Sequence, residues 1–427
     1  MATKVQRFQT PIGTHDLLPQ AAGRWNAFQE LFAREANLAN FGMIETPIFE
    51  HLGVFRRLGE GTDVVTKEMY DFLDKGDRQM ALRPEKTASV CRAFAQHRPT
   101  TPWKVWYSGP FFRYEAPQAG RLRQFHQVGA EILGSDDPDV DVEVIALAAR
   151  VLAGAGLRQN LLVINSMGDA ESRQRFAEAL QQFLRDNLDN VDPADRQKVD
   201  AHPLRVLDSK RDATREVTAR APQVADFLTD AATEHFGRVK AGLDSLAISY
   251  TVEPRLVRGL DYYSHTLFEF QSQALVTAQD ALGGGGRYNG LVKALGGPET
   301  PGVGFAMGIE RILLACDAEQ TFVAPDASPV AFVVDVTGGE NARDLTFELR
   351  DLGVSADRAF DQRSMKAQMK AADRSGAHWA VIVGQDEAAA GSVTLRNMRG
   401  SADPQRSIPR TDIGTELLRL LAAHADD

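Results

Sequence analysis

The segment Gln124-Phe-His-Gln-Val-Gly-Ala-Glu-Ile-Leu133 reads as a strand with two unlike faces. Side chains alternate across a strand, so Phe125, Gln127, Gly129 and Glu131 share one face, and His126 lies on the other with Val128, Ala130 and Ile132. The second face is apolar and suited to a core. The first offers an aromatic ring, an amide, a position without a side chain and a carboxylate. A half-exposed antiparallel strand whose polar groups merely face water has the same pattern. The run Trp103 to Glu115 reads as a partner strand, on which Phe111, Arg113 and Glu115 share a face. Ala116-Pro-Gln-Ala-Gly-Arg-Leu-Arg123 joins the two and is too long and too basic for a tight hairpin. Arg113, Arg121 and Arg123 therefore gather at one sheet surface. Guanidinium forks bond phosphate oxygens bidentately and stay charged, although a solvated, salt-bridged surface also collects arginines.

Outward from this pair, Trp25, Phe28, Leu31, Phe32 and Leu38 recur at helical spacing and predict a helix over 20–41, with Gly42 as its C-cap. Met43-Ile-Glu-Thr-Pro-Ile-Phe-Glu50 is extended, and Pro47, which removes a ladder donor, places it at an edge or in irregular pairing. Residues from about Ser172 to Leu246 are strongly charged and helix-favouring, which predicts a mainly helical insertion over about 170–250. Strand character returns from Leu256 to Phe270. The following Gly283-Gly-Gly-Gly-Arg-Tyr-Asn-Gly290 lacks the Gly-Lys-Ser/Thr ending of a phosphate loop, so a tight backbone crossing is the better account. Gly302 to Ala315 predicts a buried strand running into a helix. Thr321 to Pro329, with two prolines and small residues, is the best linker. Beyond it, a strand at Val330–Val336, helices at Asn341–Leu352 and Ser364–Ala372, and a strand at Trp379–Val383 alternate as in a small α/β domain. The expected division is 1–325 and 326–427.

At 427 residues the chain exceeds one ordinary core. No run of about 18 uncharged apolar residues occurs, which excludes a membrane-spanning helix on sequence grounds. Met1 to Thr10 has no apolar segment behind its basic residues and does not read as a secretory signal. Cys91 and Cys316, in unrelated contexts, make neither a disulfide framework nor a zinc site and fit a reducing compartment. His126 and His265 are not at metal spacing with other ligands, so no protein-bound zinc or other metal site is expected. A net charge of −10 argues mildly against nonspecific nucleic-acid binding but not against a local basic patch.

Several ordered runs together resemble one family. Phe112-Arg-Tyr-Glu-Ala-Pro-Gln-Ala-Gly-Arg-Leu-Arg-Gln-Phe-His-Gln-Val-Gly-Ala-Glu131 resembles motif 2 of the class II aminoacyl-tRNA synthetases in its histidyl form. Gly302-Val-Gly-Phe-Ala-Met-Gly-Ile-Glu-Arg311 is similar to their motif 3, and the Pro47 segment to motif 1. Leu256-Val-Arg-Gly-Leu-Asp-Tyr-Tyr263, the glycine run ending Arg287-Tyr288, and Leu82-Arg-Pro-Glu-Lys-Thr-Ala88 resemble segments of histidyl-tRNA synthetases. The resemblance implies an α+β catalytic domain on an antiparallel sheet, a helical insertion that clamps the acceptor stem, and a C-terminal α/β anticodon-binding domain. It implies a cytoplasmic homodimer, joined through the motif 1 region, that takes ATP with Mg2+, L-histidine and tRNA(His). Arg113 and Arg258 would then be catalytic, with Arg258 a fixed positive charge opposite Arg113. Arg113, Glu115, Arg121, Phe125 and Arg311 would bind ATP, adenine lying between Phe125 and Arg311. Glu85, Thr87 and Gln127 would accept from the ammonium group of histidine, and Glu131 and Tyr263 would meet its imidazole. Tyr262, Tyr288 and Arg258 would line the same pocket, and Gln118 and Arg123 would touch the acceptor stem.

This chain departs from the family pattern at four places. Lys86 stands where glycine is usual, Ala116 and Leu122 replace an arginine and a tyrosine, and His265 replaces an arginine. The alternative is a catalytically silent, histidine-sensing regulatory subunit of ATP phosphoribosyltransferase. Such relatives typically lose the motif arginines and the last domain, whereas Arg113, Arg258, Arg311 and the α/β tail are present here. A ligand-sensing α/β tail on an unrelated enzyme would explain the tail and none of the motifs.

Overall fold

In a computed structural model, the structure describes residues 7–57, 64–207, 209–257, 262–275, 280–400 and 405–425. The chain divides into two compact units, with the boundary between Ala324 and Pro325, inside the proline-bearing segment.

The first unit is built on an eight-stranded sheet. Its strands are β1 (Gly42–Met43), β5 (Trp103–Phe112), β6 (Gln124–Leu133), β7 (Asn160–Ser166), β8 (Thr251–Val252), β9 (Ser264–Ser272), β10 (Ala281–Arg287) and β11 (Gly302–Gly308), in the order β1-β5-β6-β11-β10-β9-β7-β8. A smaller sheet pairs β2 (Phe49–His51), β4 (Gln79–Leu82) and β3 (Asp71–Leu73). The large sheet is antiparallel except at its two margins. There the two-residue strands β1 and β8 pair parallel to β5 and β7, so the sheet is mixed rather than wholly antiparallel. Pro47 falls between β1 and β2, where no ladder bond is required of it.

Helices α1 (Pro19–Leu38), α4 (Asp139–Gly154), α8 (Asp230–Ser245) and α10 (Ile309–Glu319) cover one face. Val128, Ala130 and Ile132 of β6 meet Phe28, Phe32 and Ile145 there, as the alternation of β6 requires. The helix over 20–41 is present, but two details differ from the sequence expectation. Leu38 is 69% exposed, because the buried stripe ends at Ala36. Gly42 belongs to β1, and the left-handed turn is made by Asn40, at φ 60°. The Phe41 N–H donates to Ala36 O at 3.0 Å and that of Asn40 to Asn37 O at 3.0 Å, the paired bonds of a Schellman end. Asparagine tolerates this conformation because its short polar side chain has little to clash.

The opposite face carries α2 (Leu52–Arg56), α3 (Thr87–His97) and α9 (Leu291–Ala294), packed with Tyr107, Phe111, Leu133 and Tyr288. The helical insertion is present as α5 (Ala170–Asp186), α6 (Pro193–Ala201) and α7 (Asp212–Thr218) with short 3-10 turns. Its core is separate, with Phe176, Leu180, Leu184 and Val217 clustering against Val163 and Leu267. The helices of the expected 170–250 span do not all share this core. Phe236, Val239 and Leu243 of α8 pack into the main core beside α4, so only the part before α8 stands apart. Asp169 ties the two together: it caps α5 at Ser172 N, 2.8 Å, and accepts from Thr229 Oγ1, the cap of α8, at 2.6 Å. Among the described residues, the strand expected from Leu256 begins at Ser264.

The second unit holds a five-stranded sheet of β12 (Ala331–Asp335), β13 (Ala356–Arg358), β14 (Trp379–Val383), β15 (Ser392–Asn397) and β16 (Arg406–Pro409), in the order β13-β12-β14-β15-β16. The first three pair in parallel and the last two antiparallel. Helices α11 (Glu340–Asp351), α12 (Met365–Arg374), α13 (Gln385–Ala390) and α14 (Ile413–Ala425) complete it. Among the described residues no helix is long and apolar enough to cross a membrane.

Candidate active site

The polar face of β6 carries chemistry at both ends. Glu131 sits at the buried end with 0% exposure, and its carboxylate accepts three side-chain hydroxyls. Tyr288 donates at 2.5 Å, Thr87 at 2.7 Å and Tyr107 at 3.2 Å. Burial pushes the Glu131 carboxyl up to about 8, the hydroxyls work the other way, and the charge of Glu85 raises it further. The network fits only because two neighbours lack side chains. Gly304 faces Glu131 across the β6–β11 ladder, and a Cβ there would lie 1.6 Å from the carboxylate. Gly129 faces Tyr107, and its Cβ would stand 2.5 Å from the phenol oxygen.

Glu85, expected to face an ammonium group, has both oxygens engaged at the start of α3. They accept from Thr87 N at 2.8 Å and Ala88 N at 2.9 Å, and burial raises the Glu85 carboxyl above its ordinary range. Tyr262 packs edge-on to Tyr288, the ring centres 5.8 Å apart. Tyr263, 4.7 Å from Tyr262, joins the insertion's core instead. The structure therefore brings Glu131, Thr87 and Tyr288 into hydrogen-bonding contact and packs Tyr262 beside Tyr288.

At the other end, a cavity of about 150 Å³ is lined by Arg113, Glu115, Arg121, Phe125, Gln127 and Arg311, among others. Here the charges are held from the main chain. Arg113 Nε donates to Pro84 O at 3.0 Å, and its guanidinium lies 5.1 Å from the centre of the Phe125 ring. Burial, the largest influence, lowers the pKa of Arg113, while Glu68 and Glu85 oppose that shift. Arg311 donates to Gly120 O at 2.9 Å and Ala281 O at 3.0 Å, which fastens the 113–123 loop to the start of β10. Arg121 pairs with Glu115. The loop is far from free. Gln118 and Arg121 exchange backbone bonds of 3.0 and 2.9 Å, and Arg123 N–H donates to Gly13 O at 2.8 Å. The Arg123 guanidinium stacks 3.9 Å over Tyr114, while Gln118 stands exposed. Arg258 lies outside the described residues.

Three comparisons bear on what this arrangement is. The family model described as histidyl-tRNA synthetase matches residues 13–312, and that described as anticodon binding domain matches 330–420. The histidine--tRNA ligase of Levilactobacillus brevis is 46% identical over 429 residues, covering 97% of this chain and 98% of that protein. The apo histidyl-tRNA synthetase of S. aureus superposes with a TM-score of 0.82 at 35% identity, covering 96% and 100% of the two chains. The chain belongs to the histidyl-tRNA synthetase family. It is an aminoacyl-tRNA synthetase, a ligase, and the regulatory-subunit reading is not favoured.

Several residues of this synthetase's site were not singled out in the sequence. Tyr107 is one, and the glycine opposite it, Gly129, was the available signal. Glu310 is another: it accepts from His126 N–H at 2.9 Å and tethers α10 to β6. Lys86, noted only as a departure, is fully buried. It pairs with Glu45 at 2.9 Å, and its ammonium group sits 5.2 Å from the Tyr107 ring. Burial, with Arg83 beside it, brings this lysine down to about 8. Another departure, His265, lies with its ring centre 4.6 Å from that of His235, which is paired with Asp141 of the buried Asp141–Arg287 ion pair.

Proposed function

We propose that the polar face of β6 binds both substrates of histidine activation, the nucleotide at Phe125 and the amino acid at Glu131. One observation carries this reading. Phe125, Gln127 and Glu131 lie on one face of one strand, with a cation-lined cavity at one end and a buried acid at the other. Six residues of strand span about 20 Å, room for an amino acid joined end to end with a nucleoside monophosphate.

In the first step a carboxylate oxygen of histidine attacks the α-phosphorus of ATP. A P–O bond forms, the bond to the β-phosphate breaks, and pyrophosphate leaves with its electron pair. The product is histidyl-adenylate. In the second step a hydroxyl of the terminal ribose of tRNA(His) attacks the adenylate carbonyl and AMP departs. Arg113, held by Pro84 O, supplies fixed positive charge to the first transition state, and Arg258 is proposed as its counterpart. Such preorganised donors contribute about 2.7–4 kcal/mol each where they have been removed. Arg121 and Arg311 would serve the outer phosphates, with Glu115, paired to Arg121, in the same ATP cavity. Adenine would lie between Phe125 and Arg311, both of which line the cavity. Magnesium, held mainly by the phosphates, would accompany ATP.

At the other end, Glu131, Tyr288 and Tyr107 form a polar wall for an imidazole, with Tyr262 and Tyr263 beside it. A side chain lacking ring nitrogens would leave these buried groups unpaired, which is a strong ground for rejection. Gln127 and Thr87 are assigned to the ammonium group, and Glu85 shapes that site by holding α3. Gln118 is the better placed of the two expected acceptor-stem residues. Arg123, stacked on Tyr114, stiffens the loop.

A homodimer is supported by the exposed Met43, Ile48, Phe49, Phe72 and Leu73, with Phe49 and Phe72 6.3 Å apart on the small sheet. An active monomer on sedimentation would refute it. A cytoplasmic location is part of the proposal; the free, buried thiols of Cys91 and Cys316 are compatible with a reducing compartment. The activity is tested by exchange of labelled pyrophosphate into ATP with each of the twenty amino acids. We expect exchange with histidine alone. Exchange with another amino acid, or none while histidine still binds, would refute the reading.

A further inference from the structure

The second unit is acidic overall, with sixteen Asp and Glu against twelve Lys and Arg from Pro325 onward. Its charge is not spread evenly. Five of the cations and only two of the acids fall between Arg358 and Arg374, where β13 ends and α12 runs. Phe360 sits in this stretch with 59% of its surface exposed, and the Arg358 guanidinium lies 4.7 Å from its ring centre. The chain then turns through Asp361 and Gln362, at φ 67° and 43°. Two successive non-glycine residues in the left-handed region are disfavoured, and such strain persists where the surrounding structure imposes it and often marks functional sites. Arg363 pairs with Asp361 across the turn at 3.3 Å. β13 is an edge strand parallel to β12, and its carboxyl end is where ligands of open α/β sheets approach.

A second exposed pair lies in the same unit and serves as an internal contrast. Phe347 is 54% exposed, with Arg350 5.5 Å from its ring centre. It belongs to α11, which carries Glu340, Asp344, Glu348 and Asp351 against Arg343 and Arg350. An aromatic ring among acids repels a phosphate backbone; one among cations attracts it.

We infer that Phe360, backed by Arg358, is a stacking platform for an unpaired base of the transfer RNA's anticodon loop, with Arg363, Lys366 and Lys370 meeting the adjoining phosphates. Every base has a π face, so an exposed ring flanked by cations suits single-stranded RNA. The inference rests on the reading that this chain charges a transfer RNA, and it names the residues of the second unit that hold it.

The test uses the full chain and two assays. Histidine-dependent pyrophosphate exchange needs no transfer RNA; aminoacylation of tRNA(His) does. Phe360→Ala should raise the KM for the RNA at least about five-fold, the lower end expected for losing one stacked base, and leave exchange unchanged. Phe360→Trp should restore the wild-type KM, and Phe347→Ala should leave it alone. Wild-type KM in Phe360→Ala, or an equal rise in Phe347→Ala, would overturn the platform while the charging activity stands. A wild-type chain that exchanged pyrophosphate yet charged no transfer RNA would instead overturn the reading beneath it, and the platform with it.

Discussion

The two ends of β6 hold charge in opposite ways. At the Phe125 end, cations are anchored by main-chain carbonyls, Arg113 by Pro84 and Arg311 by Gly120 and Ala281, and they face an open cavity. At the Glu131 end, one acid is sealed from water and surrounded by hydroxyls. The first arrangement keeps positive charge ready for an anion that brings its own hydration. The second keeps an acid that is costly to ionise until a partner arrives. One end is thus built for charge stabilisation and the other for discrimination.

The largest effect should come from the buried ion pair whose arginine precedes Tyr288 in the chain. Asp141 and Arg287 are both fully buried and ion-paired. Arg287 also donates to Ser135 O and Asp137 O, each at 3.0 Å. Removing one member of such a pair leaves a buried charge uncompensated, so Asp141→Ala should destabilise the fold by about 3–5 kcal/mol. Denaturant melts of the variant would show it; an unchanged midpoint would mean that the pair adds nothing net to stability.

At the open end, Arg113→Ala should lower the kcat of pyrophosphate exchange roughly 100- to 1,000-fold, the loss typical of one preorganised donor. A change confined to the KM for ATP would make Arg113 a binding residue only. At the buried end, Glu131→Gln should lower kcat/KM for histidine by about 10- to 100-fold, equivalent to one or two unsatisfied buried groups, with the KM for ATP unaltered. If both variants moved both substrates equally, the division between the two ends would fail.

The pH dependence separates the ends further. The Glu131 carboxyl rises from an ordinary 4.5 to about 8 in the folded chain. Between those values the folded state holds the proton and the unfolded state has lost it. The contribution of this group to stability is therefore complete below about 4.5 and is lost as pH rises through about 8. Glu131→Gln should flatten the fall in stability across that window, as thermal melts from pH 5 to 8 would record. The smallest effect expected is that of Arg311→Lys. An ammonium group cannot reach two carbonyls with a planar fork, so the 113–123 loop should loosen and the KM for ATP rise by about ten-fold at most.

Much of this was legible in the chain. The alternation of β6 put Val128, Ala130 and Ile132 in the core and Phe125, Gln127 and Glu131 on the working face, because strand period alone assigns sides. The arginines of the preceding loop and of Gly302–Arg311 announced an anion site through residue type. Less legible were contacts that join distant segments. Tyr107 and Glu131 are 24 residues apart, and Tyr288 and Glu131 are 157 apart, so no local pattern links them. The same holds for Lys86, whose burial follows from Glu45 and Tyr107 meeting it from two other strands' surroundings. The packing of α8 was hidden for a like reason. The charge and helical spacing of α8 match those of α5, and only packing against α4 shows that it belongs to the main core.

By itself the sequence determined which segments are strands and helices, which faces are apolar, and which residue types gather for phosphate and imidazole chemistry, since these depend on neighbours a few positions away. Tertiary structure decided that glycines 129 and 304 would open space around one carboxylate, that Arg113 would cover Phe125, and that Glu131 would sit dry enough to hold its proton near neutrality. Clearance, stacking and desolvation depend on what arrives from elsewhere in the chain, and only the folded molecule specifies that.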